Sequence, residues 1–292
     1  MSNDSEERIN EDDISIIRVF ITKHSLILFF LLSYLLMFLP VVLIFFRFLP
    51  LLDSLFFLIA IWSPTISAVF LIGIINGQIG IRKLFNGWFI WKVSLFWYFA
   101  AVILILGPFI VALITILLGE EPTGIDPSMT IPTLVLALIV TIHNGPLCEE
   151  TGWRGFALPK IESRYGALGA SVILGILWAF WHLPLYLIEE RINFVIFVPL
   201  CLAITILMTW AYNNTNGSLF ITFLFHFCFN FSAGWITGYL GLMEPMLYYI
   251  SGGVMISIYV ILIILVEKPA KFSRKPASEL PFLFDTNLLG SF

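Results

Sequence analysis

The chain reads as an all-α protein, a polytopic membrane helix bundle of about eight transmembrane helices with one interfacial amphipathic helix. Three observations predict this. Of its 292 residues 60% are apolar and 12% charged, the first above and the second far below the usage of soluble domains. Several apolar runs reach the roughly 20 residues that a helix needs to cross a bilayer. The basic residues gather in alternate connections between those runs, as they do in chains threaded through a membrane.

The elements follow in order. Residues 1–24 form a tail with Asp4, Glu6, Glu7, Glu11, Asp12 and Asp13, acidic where a secretory signal is basic. Spans are expected at about 25–46, 52–76, 94–118, 131–158, 167–188, 192–211, 218–238 and 246–266. Between the second and third, residues 81–92 mix Arg82, Lys83 and Lys92 with Phe85, Trp88, Phe89 and Trp91, the composition of a helix lying among lipid headgroups. The fourth span is long and must tilt or emerge at its far end. Residues 267–292, with Pro269, Pro276 and Pro281, read as a loose tail. The transmembrane bundle therefore covers 25–266, and its polar motifs define a core at about 131–240. Cys148, Cys201 and Cys228 lie in apolar stretches without metal-ligand spacing and read as small packing residues.

With eight spans both termini share a side. That side carries thirteen of the fifteen basic residues, leaving only Arg47 and Arg191 on the other. Both termini are therefore expected in the cytoplasm of a multi-pass plasma-membrane protein, with the bilayer as its first partner and no nucleic acid. The compact chain suggests a prokaryotic home.

Three polar motifs interrupt the apolar spans. The fourth ends in Glu149, Glu150 and Arg154, the fifth carries Trp178 and His182, and the seventh carries His226 and Asn230. Ionisable groups in spanning segments are costly and mark functional sites. Measured along the helices, Glu149 lies about 14 Å from a helix end near Leu158, His182 about 20 Å in, His226 about 12 Å and Asn230 about 18 Å. All are referred to the cytoplasmic end, so they share one layer. At i,i+4, Glu150 and Arg154 can pair, while Glu149 points about 100° away from Glu150 into a cavity as a candidate general base. Ser171, Gly175 and His182 share one stripe on the fifth span, and Thr222, His226, Asn230 and Gly234 another on the seventh. Taken singly, the ion pair also fits a snorkelling pair, and each intramembrane His fits an interhelical hydrogen bonder. His143 beside Asn144 is read in that second way, and His24 is assigned nothing.

These residues resemble the CAAX-protease and bacteriocin-processing family of intramembrane endopeptidases. Its pattern is Glu-Glu-x-x-x-Arg, Phe-x-x-x-His and His-x-x-x-Asn on separate helices of an eight-span bundle. Here it stands as Glu149-Glu150-x-x-x-Arg154, Trp178-x-x-x-His182 and His226-x-x-x-Asn230, and the likeness is close over 141–233. Trp178 departs from the pattern's Phe, a change expected to alter pocket shape more than chemistry. The resemblance implies hydrolysis of a peptide bond in a membrane-associated substrate, a prenylated CAAX-type or leader peptide, at the cytoplasmic face. Glu149 and His182 would activate water, His226 and Asn230 would stabilise the oxyanion, and Glu150 and Arg154 would support them. No cofactor is expected. A His₂Glu zinc site is the alternative, set against by the lack of an HExxH pair and the poor ligation of Asn. The rival function is a non-proteolytic scaffold or bacteriocin self-immunity protein. A transporter is disfavoured, because the two halves carry no matched broken helices.

Overall fold

The computed structural model describes residues 3–122, 124, 130–188, 194–267 and 272. The predicted tail at 267–292 lies outside the described residues except for Glu267 and Phe272, as do Arg191 and the basic residues beyond Glu267. Every regular element among the described residues is a helix. The α-helices are α1 (Asn3–Phe45), α2 (Asp53–Asn86), α3 (Leu95–Leu117), α4 (Ile131–Ile142), α5 (Cys148–Gly152), α6 (Leu158–Trp181), α7 (Phe194–Asn214), α8 (Leu219–Ala233) and α9 (Pro245–Glu267).

Seven described segments are long and apolar enough to cross a membrane. The fourth and fifth expected spans fall in one of them, Ile131–Tyr186, of 56 residues. A straight helix of that length would extend about 84 Å, against a hydrocarbon core of about 30 Å. The segment turns back on itself instead. Gly166, at φ 68° and ψ 172°, breaks α6, and the Trp178 indole donates to Glu149, 29 residues earlier, at 2.5 Å. The two arms are the two expected spans, and counting them separately restores eight crossings.

The outer faces of these helices carry Leu31, Leu35, Phe99, Val135 and Ile139 exposed, the surface expected where lipid is the solvent. The interior packs α1 against α2, α3 against α8 and α6 against α7. Small residues permit the closest approaches. A Cβ on Gly152 would lie 2.5 Å from the backbone of Pro64, and one on Gly175 would lie 3.1 Å from the Cα of Leu202, so α5 meets α2 and α6 meets α7 backbone to backbone.

α2 breaks at Gly77, at φ 60°, where the second span was expected to end. The carbonyl of Ile75 just before the break accepts from the Arg18 guanidinium of α1. The basic–aromatic stretch beyond differs from expectation. It stays helical only through Gly87–Phe89, and 90–94 is irregular. Phe89 and Trp91 face outward, as a surface helix would place them. Trp88 instead turns inward and donates its indole N–H to Thr151 Oγ1 at 2.9 Å. Gly87 explains the change. A Cβ there would lie 2.7 Å from Leu219 Cγ, so the segment is drawn against the start of α8 rather than lying free.

Candidate active site

The first motif sits beyond a deliberate irregularity. α4 passes into a wide turn, His143–Leu147, in which Asn144 has ψ 94° and Gly145 has φ 111°. Pro146 supplies no N–H to a regular ladder, and a positive φ of this kind suits glycine. The Cys148 thiol holds the turn, accepting from Gly145 N at 3.3 Å. α5 then presents Glu149 and Glu150, and a second wide turn, Trp153–Ala157, presents Arg154. His182 stands at the C-terminal end of α6, before the 3₁₀ turn Leu183–Leu187. His226 and Asn230 stand one turn apart on α8, whose first turn is capped by Ser218 Oγ accepting from Ile221 N at 3.1 Å.

All six expected site residues gather in one region. Arg154 Nη1 donates to Glu150 Oε1 at 3.1 Å, and both side chains are fully buried. The same oxygen accepts from His226 Nδ1 at 2.8 Å, so Glu150 ties the first motif to α8. That leaves His226 Nε2 turned toward the cavity. Glu149 takes the other direction, as the helical phase predicts. Its Oε2 accepts two indole N–H groups, Trp178 at 2.5 Å and Trp153 at 3.1 Å. His182 Nδ1 lies 2.8 Å from the Trp178 carbonyl oxygen. A carbonyl only accepts, so Nδ1 carries the hydrogen and Nε2 is the basic nitrogen of the neutral ring.

Gly145 marks where the groups converge. A Cβ placed on it would lie 3.0 Å from Asn230 Nδ2, 3.2 Å from His226 Nε2 and 3.4 Å from Glu149 Oε1. Three polar atoms from two separated helices thus surround one point that a side chain at 145 would fill. The point opens into a cavity of about 690 Å³, lined by Glu149, Trp178, His182, His226 and Asn230 together with Phe197 and Tyr249. Such an arrangement places a carboxylate oxygen and two side-chain nitrogens against the same small group.

Trp178 is the residue whose part was underestimated. Its indole binds Glu149, stands edge-on to His182 at 5.5 Å and His226 at 5.1 Å, and carries the Arg154 guanidinium over its face at 4.8 Å. The exchange of Phe for Trp therefore adds a hydrogen bond to the carboxylate as well as changing shape, which a phenyl ring could not do. Trp153 was legible only as a neighbour at i+4 of Glu149. Gly145 carried a visible signal, a glycine next to Pro146 inside a span. His143 bonds Asn144 Oδ1 at 2.9 Å and accepts from Trp62 Nε1 at 3.1 Å, the interhelical part expected of it.

Among the described residues no group of three or more His, Cys, Asp or Glu side chains is placed to hold a metal ion. Glu149 Oε2 and His226 Nδ1 are already engaged with protein partners.

Comparison with known proteins bears on this same region. Residues 130–232 match the family model described as Type II CAAX prenyl endopeptidase Rce1-like, and the match contains all three motifs. The chain is also 31% identical over 110 residues to a protein of Methanococcus maripaludis named CAAX prenyl protease 2. That likeness takes in 34% of this chain and 39% of the relative, so the chain spans well under half of the relative's length. The likeness to the type II CAAX prenyl endopeptidases thus lies in residues 130–232, the helices that hold the six polar side chains.

Proposed function

We propose that the protein is an intramembrane endopeptidase that hydrolyses a peptide bond of a membrane-associated substrate with water activated by Glu149 and His182. The observation that carries this reading is the convergence of Glu149 Oε1, His226 Nε2 and Asn230 Nδ2 on the point in front of Gly145. Glu149 takes a proton from water as its oxygen bonds to the scissile carbonyl carbon, and the carbonyl oxygen becomes an oxyanion. Asn230 Nδ2 and His226 Nε2 donate to that oxyanion. Since His226 Nδ1 faces the Glu150 carboxylate, donation from Nε2 requires the imidazolium form, with Glu150 as its counter-ion. The C–N bond then breaks, the leaving nitrogen takes the proton that Glu149 holds, and a new carboxylate and amine result.

Glu150, Arg154 and Trp178 act through the others. The first two hold α5 to α8, and Trp178 fixes the rotamer of Glu149. Metal-free hydrolysis is proposed because one of the three atoms that meet at that point is the Asn230 amide nitrogen, a poor metal ligand. The name of the Methanococcus relative makes peptides ending in a prenylated cysteine motif the first substrates to assay.

The test compares membrane peptides from cells that make the natural chain, Glu149→Gln or His182→Ala at equal membrane levels. The reading expects one or more cleaved peptides present only with the natural chain, and unaffected by a zinc chelator. Identical peptide patterns would favour the scaffold reading, and chelator-sensitive cleavage would favour a metal.

A further inference from the structure

Beside Gly145 the cavity wall carries an amide that the hydrolytic steps do not use. Asn144 lines the cavity together with Gly145 and Glu149, and its ψ of 94° takes it out of the helical path of α4. A chain of hydrogen bonds that starts on α2 sets its orientation. An indole N–H only donates, so Trp62 Nε1, at 3.1 Å, makes His143 Nε2 an acceptor. The hydrogen of the neutral ring then sits on Nδ1. Nδ1 donates to the atom of Asn144 that it meets at 2.9 Å, which is therefore the carbonyl oxygen Oδ1. An amide fits by shape either way round, and here the Trp62 indole decides between the two. The Nδ2 hydrogens are turned away from His143. Asn144 is half-buried, and among the described residues no group accepts from Nδ2. Nor is Nδ2 one of the sealed polar atoms that lack a partner, so it stays open to the space that Asn144 lines.

Trp62 and His143 already tie α2 to the turn after α4, which gives no reason for a second polar side chain. The cavity gives one. On the α2 side its wall is apolar, with Phe57 and Ile61, and Leu185 and Phe197 add further apolar surface. A peptide drawn into that space loses the water on its main-chain carbonyls, and a carbonyl buried without a donor is costly. Asn144 offers a donor one residue from the point where Glu149, His226 and Asn230 converge. Those three take the scissile carbonyl, which leaves a neighbouring carbonyl for Asn144.

We infer that Asn144 binds the substrate, its Nδ2 donating to a main-chain carbonyl beside the scissile bond, and that Trp62 and His143 are positioning residues that hold the amide that way round. The inference rests on the endopeptidase reading and adds a contact to the same site.

The test uses the full chain in detergent and a peptide found cleaved in the membrane comparison. Asn144→Ala removes the donor. Trp62→Phe keeps an aromatic ring but releases the tautomer of His143, and it carries the test if Asn144→Ala does not fold. A contact made alike before and in the transition state acts on KM rather than kcat. KM is expected to rise about tenfold in Asn144→Ala and about threefold in Trp62→Phe, with kcat within about twofold. Thioamides placed one at a time at the carbonyls flanking the cleaved bond locate the contact, because sulfur accepts weakly. One of them is expected to raise KM several-fold for the natural chain and to add nothing in Asn144→Ala, the non-additivity of groups in contact. An unaltered KM, a loss confined to kcat, or thioamide effects that multiply in full at every position would overturn the assignment. A merely structural part for Asn144 gives the last of these. Cleavage that survives Glu149→Gln would instead remove the endopeptidase reading beneath it.

Discussion

Gly145 holds the site open by having no side chain. With φ at 111° it sits where other residues are strained, and its missing Cβ leaves the space between Asn230, His226 and Glu149. Gly145→Ala is expected to abolish peptide cleavage and to destabilise the protein by about 1–3 kcal/mol, read as turnover and thermal unfolding in detergent. Activity retained in that variant would place the reacting group elsewhere. Trp178→Phe removes only the N–H that Glu149 accepts and keeps the ring against both histidines. A hydrogen bond to a charged group contributes about 1.5–3 kcal/mol, so kcat is expected to fall about tenfold or more with KM little changed. Trp178→Leu, which also removes the ring from beneath Arg154, is expected to lower thermal stability as well. Equal kcat for the natural chain and Trp178→Phe would reduce the indole to a packing residue.

At the scale of elements, the buried Arg154–Glu150–His226 chain joins α5 and its following turn to α8. Removing one partner from a buried pair leaves an uncompensated charge and costs about 3–5 kcal/mol. Arg154→Met is expected to show that loss, and Arg154→Met combined with Glu150→Gln to recover part of it, read by thermal unfolding. A double variant less stable than either single would mean that the pair does not act as a unit. Gly152→Ala tests the seam between α5 and α2. Its methyl meets the Pro64 backbone, and overpacking of this kind costs about 1–3 kcal/mol, with loss of activity as α5 is pushed out of register. What was legible at this scale came from helix periodicity. The i,i+4 spacing of Glu150 and Arg154 foretold their ion pair, and the divergence of Glu149 foretold its turn toward the cavity. The partners of Glu149 were not legible. The Trp178 indole reaches it across a chain reversal at Gly166, and periodicity does not describe contacts made by a fold-back. The surface helix at 81–92 was legible as far as Phe89, but the inward turn of Trp88 was not: the pull toward α8 depends on Gly87 facing Leu219, a tertiary contact.

At the scale of the molecule, apolar runs and the spacing of breaks were enough for the number of crossings, because the bilayer sets helix length and leaves few alternatives. The shared depth of the motifs also followed from rise per residue. The central claim is that residues from the α5, α6 and α8 regions work as one site. It is tested most directly by a double-mutant cycle on Glu149→Gln and Asn230→Ala, scored as kcat/KM on a peptide identified from the membrane comparison. A lost general base typically costs 10²–10⁴-fold and a lost oxyanion donor about 10²–10³-fold. Groups acting on one reacting centre are strongly non-additive, so the double variant is expected to be little slower than Glu149→Gln alone. Losses that multiply in full, or a Glu149→Gln variant as active as the natural chain, would contradict the account.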